Sequence, residues 1–125
     1  MFTSLIQVAI GGAIGATARY LTNVSLTRVM GHGFPWGTLA VNILGSFLMG
    51  VLIVVLAKKG GNAYAPLLMT GMLGGFTTFS AFSLDALTLF ERGQVGTAAG
   101  YVTGSVVLSL GAIVVGVLAT RAVMA

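Results

Sequence analysis

The chain has 125 residues and a formal net charge of +4; it is 57 % hydrophobic and only 6 % charged, with a mean hydropathy of +1.05. Soluble domains hold about 45–50 % apolar and about 25 % charged residues, so this is the composition of an integral membrane protein, and its six basic residues mark helix ends beside a bilayer instead of a nucleic-acid surface. No cysteine is present and the only histidine, His32, lies in a glycine-flanked loop, which excludes disulfides, thiolate metal sites and thiol or metalloenzyme chemistry.

Four apolar stretches follow one another, each long enough for a hydrocarbon core about 30 Å thick, and together they make one all-α domain over residues 1–125. The first, Thr3 to Arg28, is expected to be a mature helix, because Met1-Phe2-Thr3-Ser4 lacks the basic start of a signal peptide and the apolar run outlasts a signal core. Arg19 is its one expensive residue. Pro35 and Trp36 open the second stretch and Lys58-Lys59-Gly60-Gly61 close it, as suits a proline in a first turn and an indole at an interface. The third begins near Asn62, carries Pro66 in its first turns and ends at Glu91-Arg92-Gly93. Its centre, Gly71-Met72-Leu73-Gly74-Gly75-Phe76-Thr77-Thr78-Phe79-Ser80-Ala81-Phe82-Ser83, interrupts a span where it should be most uniform, and predicts two half-helices. The fourth runs from Gly96 to Val123. Gly96, Gly100 and Gly104 give it two overlapping small-xxx-small motifs, and Gly11 with Gly15 gives the first helix another, which predicts close helix packing at both places.

With four spans, both termini and the Lys58-Lys59 loop share one side. Lys58, Lys59 and Arg121 there face Arg28 and Arg92 on the other, with Arg19 as a third if it is counted there. Basic residues set orientation, so a bias this small predicts insertion in both directions; a chain too small to enclose a pore then pairs as an antiparallel, dual-topology homodimer.

Polar residues recur at helical spacing. Thr38, Asn42 and Ser46 fall on one face of the second helix, and Tyr101, Ser105 and Ser109 on one face of the fourth. Two such stripes can border a pathway; alternatively the hydroxyls bond their own helix carbonyls and Asn42 clasps two helices. The inventory is rich in donors and poor in carboxylates, which suits an anion. Phe79 and Phe82, three apart after the break, could present positive ring edges to it or serve only as core. Arg19 has two readings, a charge that draws anions or a structural group bonding carbonyls or Asp85. Asp85 could carry protons, although it lacks the partner groups of a relay.

The blocks Gly15-Ala16-Thr17-Ala18-Arg19-Tyr20, Gly37-Thr38-Leu39-Ala40-Val41-Asn42 and Gly74-Gly75-Phe76-Thr77-Thr78-Phe79-Ser80-Ala81-Phe82-Ser83 resemble the signature blocks of the Fluc family of bacterial fluoride channels, in order and over nearly the whole chain. The resemblance implies a passive fluoride channel of the bacterial inner membrane that lowers fluoride toxicity: an antiparallel homodimer with two pores and a structural sodium ion at its centre. It maps the sodium onto backbone carbonyls of Gly74 and Thr77. The pore maps onto Phe79, Phe82, Asn42, Thr38, Tyr101, Ser105 and Ser109, with Ser80 and Ser83 of the same block. Ala81 stands where the family commonly has threonine, and Asp85 where it has glutamate. The competing reading is a small four-helix proton-coupled exporter of cationic compounds, which would want a membrane carboxylate that the first helix does not supply.

Overall fold

The computed structural model describes residues 1–60 and 62–125; Gly61, expected to help close the second helix, lies outside the described residues. Among the described residues every element is helical. Helix α1 (Phe2–Met30) and α2 (Trp36–Lys59) are followed by a third rod, Asn62–Glu91, built from a 3₁₀ turn (Asn62–Tyr64), a π-helical stretch (Pro66–Leu73), the short α3 (Gly74–Phe76) and α4 (Phe79–Glu91); α5 (Val95–Val123) ends the chain. Trp36–Lys59, Asn62–Glu91 and Val95–Val123 are long and apolar enough to cross a membrane. Helix α1 matches α5 in length at 29 residues, but Gln7 and Arg19 dilute its apolar character.

The helix ends follow their local chemistry. Trp36 starts α2 directly after Pro35, and Gly60 ends it in the left-handed conformation at φ 66°, its amide donating to the Leu56 carbonyl. Gly93 turns the chain from α4 to α5 at φ 82°. The widened π turns begin at Pro66, whose missing amide already leaves a helical bond unmade.

Glycines decide which rods touch. A Cβ on Gly15 would collide with the Met72 carbonyl, one on Gly11 with the Leu67 carbonyl, and one on Gly75 would lie 2.9 Å from the Gly12 carbonyl, so α1 and the first half of the third rod meet backbone to backbone. Helices α2 and α5 cross in the same way, Gly50 against the Ile113 carbonyl and Gly116 against that of Phe47. The expectation for the last helix is not met among the described residues: a Cβ on Gly96, Gly100 or Gly104 would meet no atom within 4 Å, because the α5 contact with α2 runs through Gly116 and leaves their face open. Gly15→Ala should therefore destabilise the fold by about 1–3 kcal/mol through overpacking. Gly12→Ala, with open space at its Cβ, should cost far less. Thermal unfolding of both variants in detergent checks the contrast.

The core is small and sits where α4 and α5 converge. Leu89, Ala98 and Tyr101 are buried together, with Phe34, Leu39, Phe82 and Ala86 packed around them.

Candidate ion pathway

The third rod loses its helical register at two residues. Thr77 (φ −85°, ψ 159°) and Thr78 (φ −152°, ψ 123°) are extended between α3 and α4. Consecutive β-branched residues favour such geometry, and threonine is a good N-cap: the Ala81 amide donates to Thr78 Oγ1 at 3.1 Å. Asn42 of α2 reaches across and clasps the opened segment twice. The Thr78 amide donates to Asn42 Oδ1 at 2.8 Å, and Asn42 Nδ2 donates to the Thr78 carbonyl at 3.0 Å. Arg19 of α1 holds the preceding turn, its Nε donating to the Gly75 carbonyl at 3.0 Å.

These bonds redistribute the backbone. In a continuous helix the Thr78 and Ala81 amides would donate to the Gly74 and Thr77 carbonyls, four residues earlier. Asn42 and the Thr78 hydroxyl take those amides instead. The carbonyls of Gly74 and Thr77 thereby lose their helical donors, and Gly74 is exposed on the surface of the chain.

Beside the break lies a groove of about 410 Å³. Asn42 and Ser46 line it from α2, Ser105 and Ser109 from α5, and Thr77, Thr78, Phe79 and Phe82 from the third rod, with Met49, Leu110 and Ile113 completing an apolar side. Phe79 and Phe82 stand edge to face, ring centres 5.6 Å apart at 71°. Phe79 is 71 % exposed. Ser105 Oγ is buried and has no hydrogen-bond partner, which in a folded chain is costly unless a ligand or water completes it. Ser105→Ala should thus raise thermal stability, by about 1 kcal/mol from relief of the unmade bond, while slowing ion passage. A variant that loses both stability and flux would mark Ser105 as ordinary core.

Not every polar residue expected along the pathway lines the groove. Ser83 donates to the Phe79 carbonyl at 3.0 Å, and Ser80 Oγ lies 3.4 Å from Thr78 Oγ1, so both are engaged locally. Thr38, 4 % exposed, lines a separate polar cleft of about 210 Å³ together with Asp85, Asn23, Thr27, His32 and Arg92. Tyr101 packs between the two spaces: its ring lies 5.3 Å from that of Phe82 and 5.4 Å, edge on, from that of Phe34, and its hydroxyl donates to Asp85 Oδ2 at 3.2 Å. Asp85 therefore pairs with Tyr101, and Arg19 with a main-chain carbonyl.

Residues 6–117 match the family described as CrcB-like protein, Camphor Resistance (CrcB). The chain belongs to the CrcB family. It is 67 % identical over 125 residues to a relative from Cereibacter sphaeroides named fluoride-specific ion channel FluC, with the whole of both chains covered. Relatives with the same name from Paracoccus denitrificans and Agrobacterium fabrum are 56 % identical over 122 residues (98 % of each chain) and 54 % identical over 112 residues (87 % of this chain, 89 % of the relative). In this CrcB chain, sequence reasoning singled out Asn42 but not its partner Thr78, although a threonine heading an apolar helix is an N-cap signal. It also missed the cleft, whose residues are gathered from α1, the His32 loop and α4, and no spacing along the chain announces such a cluster.

Proposed function

We propose that the chain is a fluoride channel that exports the ion passively across the bacterial inner membrane, and that it works as an antiparallel, dual-topology homodimer with all four rods spanning the bilayer. The observation that carries this reading is the groove beside the break, where edge-paired phenyl rings face an unpartnered buried hydroxyl and an amide within one space. A strongly hydrated anion must exchange water for donors as it passes, and the sites must be weak enough to release it. Ser105 and Ser109 supply hydroxyls, the ring edges of Phe79 and Phe82 supply positive quadrupole, and Asn42 keeps one Nδ2 hydrogen beyond the one given to Thr78. Tyr101 and Thr38 continue the track toward the polar cleft. The relatives' names, over the full length of both chains, support fluoride as the ion.

A sodium ion would be held by the Gly74 and Thr77 carbonyls of both subunits. Main-chain oxygens stripped of their helical donors are hard ligands suited to that ion, and in hydrocarbon each unpaired one costs several kcal/mol. The openness of the groove, the exposure of Gly74 and Phe79, and the unpacked Gly96-Gly100-Gly104 face support a second copy completing the pathway. The exporter reading is disfavoured, since Asp85 accepts a hydrogen bond from Tyr101 and the other carboxylate of the sequence, Glu91, stands at the end of the third rod.

Expression in bacteria made hypersensitive to fluoride separates the two readings. The chain should restore growth in fluoride and leave sensitivity to cationic dyes unchanged; the reverse pattern would favour the exporter. Tags at the C terminus should be found on both sides of the membrane, and tags confined to one side would refute dual topology.

A further inference from the structure

Asn42 is not the only residue of α2 that shapes the break. Gly45 lies three residues further along the same face and is buried; a Cβ there would overlap Thr77 Cγ2 and stand 3.4 Å from the Phe76 ring. Gly11 and Gly15 of α1 receive main-chain atoms of the third rod, whereas Gly45 receives a side chain, the methyl group of the first extended residue. Thr77 is pinned in this pose. Its amide and its hydroxyl both donate to the Leu73 carbonyl, at 3.0 and 2.9 Å, and a β-branched side chain bonded in this way has one position for its methyl group. A side chain at position 45 would therefore have two ways in. It could turn Thr77 about its Cα–Cβ bond, which breaks the hydroxyl bond to Leu73, or displace the Thr77–Thr78 backbone, which pulls Thr78 off the Asn42 amide.

We propose that Gly45 is a positioning residue for the sodium site: its missing side chain is the slot that receives the Thr77 methyl group, and so fixes the main chain that carries the Thr77 carbonyl. The inference rests on the proposed sodium ligation by Gly74 and Thr77, and adds to it a residue of another helix that acts through Thr77. Asn42 holds the opened segment by hydrogen bonds; Gly45 holds it by shape. Because one methyl group fills the slot, positions 45 and 77 are coupled, and the cost of an added methyl at 45 shrinks when the one at 77 is removed.

Sodium retention by the purified full chain tests this coupling without reference to flux. Each protein is loaded with radioactive sodium and moved to sodium-free buffer, and the release rate is followed. Groups that hold metal ligands in place are typically worth about tenfold to a hundredfold in metal affinity, so Gly45→Ala should release sodium faster than the wild type by about that factor. The double variant Gly45→Ala/Thr77→Ser should differ from Thr77→Ser by less than about twofold, because serine keeps a hydroxyl for the Leu73 carbonyl and vacates the slot. Gly50→Ala, whose Cβ would overlap the Ile113 carbonyl where α2 crosses α5, should lower thermal stability and leave the release rate unchanged, as a packing defect elsewhere on the same helix does. If Gly45→Ala alone does not fold, the double variant should restore folded protein that carries sodium. Equal release from Gly45→Ala and the wild type, or a defect that persists undiminished in the serine background, would overturn the positioning role and leave the sodium site standing. Wild-type protein that carries no sodium would overturn both.

Discussion

Asn42→Leu should lose nearly all fluoride flux. The Asn42 amide pairs both the N–H and the C=O of Thr78, at 2.8 and 3.0 Å, so the apolar replacement leaves two main-chain groups without partners. Both bonds are part-buried, so each group left unsatisfied costs at most about 1–3 kcal/mol, and the broken register would be disfavoured by about 2 kcal/mol, or about thirtyfold in its population. The chain then has an incentive to re-form the helix through Thr78. Doing so would return the Thr78 amide to the Gly74 carbonyl and remove an oxygen from the proposed sodium site. Flux and bound sodium should fall together, the first measured by a fluoride electrode and the second by elemental analysis of the purified protein. Asn42→Leu with full flux and unchanged sodium would mean the clasp is dispensable.

The second large effect is expected at Phe82. Its ring stands edge to face with Phe79 at 5.6 Å and lies 5.3 Å from the Tyr101 ring, so it joins the groove to the hydrogen-bonded pair of Tyr101 and Asp85. Isoleucine fills much of the same volume without a ring edge. Volume-conserving apolar exchanges usually cost less than about 1.5 kcal/mol, so Phe82→Ile should still fold and still pair. Its fluoride flux should nonetheless fall by more than about tenfold, because the positive ring edge is the feature an aliphatic side chain cannot supply. Native gel migration with flux on the same preparation separates the two effects. Unchanged flux would reduce Phe82 to packing.

Much of this architecture is legible in the chain because it is local. Pro35, Gly60 and Gly93 punctuate helices by their own backbone chemistry, and the run from Gly71 to Ser83 announces a break because glycine and β-branched threonine both weaken a helix. What spacing could not give is depth and direction. Thr38 and Ser46 flank Asn42 at equal intervals, yet Ser46 lines the groove and Thr38 the cleft, a difference set by which elements pack beside each turn of α2 and not by spacing along it. Ser80 and Ser83 look like pathway hydroxyls in sequence, but their hydroxyls meet Thr78 Oγ1 and the Phe79 carbonyl, the latter four residues earlier on the same helix as serine commonly bonds back. The glycine stripe of α5 is equally plain in sequence, and only the crossing of α2 over Gly116 reveals that the stripe packs against nothing in its own chain. The bond from Arg19 to the Gly75 carbonyl joins residues far apart in sequence, and it adds a main-chain contact that leaves the positive charge of the guanidinium in place.

Whether the groove beside the broken third rod passes fluoride can be decided by anion efflux from proteoliposomes loaded with equal fluoride and chloride, with potassium permeability supplied by an ionophore. A fluoride pathway there should give rapid fluoride release that requires the ionophore, retention of chloride, and no proton gradient needed to drive it. Release of both halides at similar rates, or of neither, would rule it out.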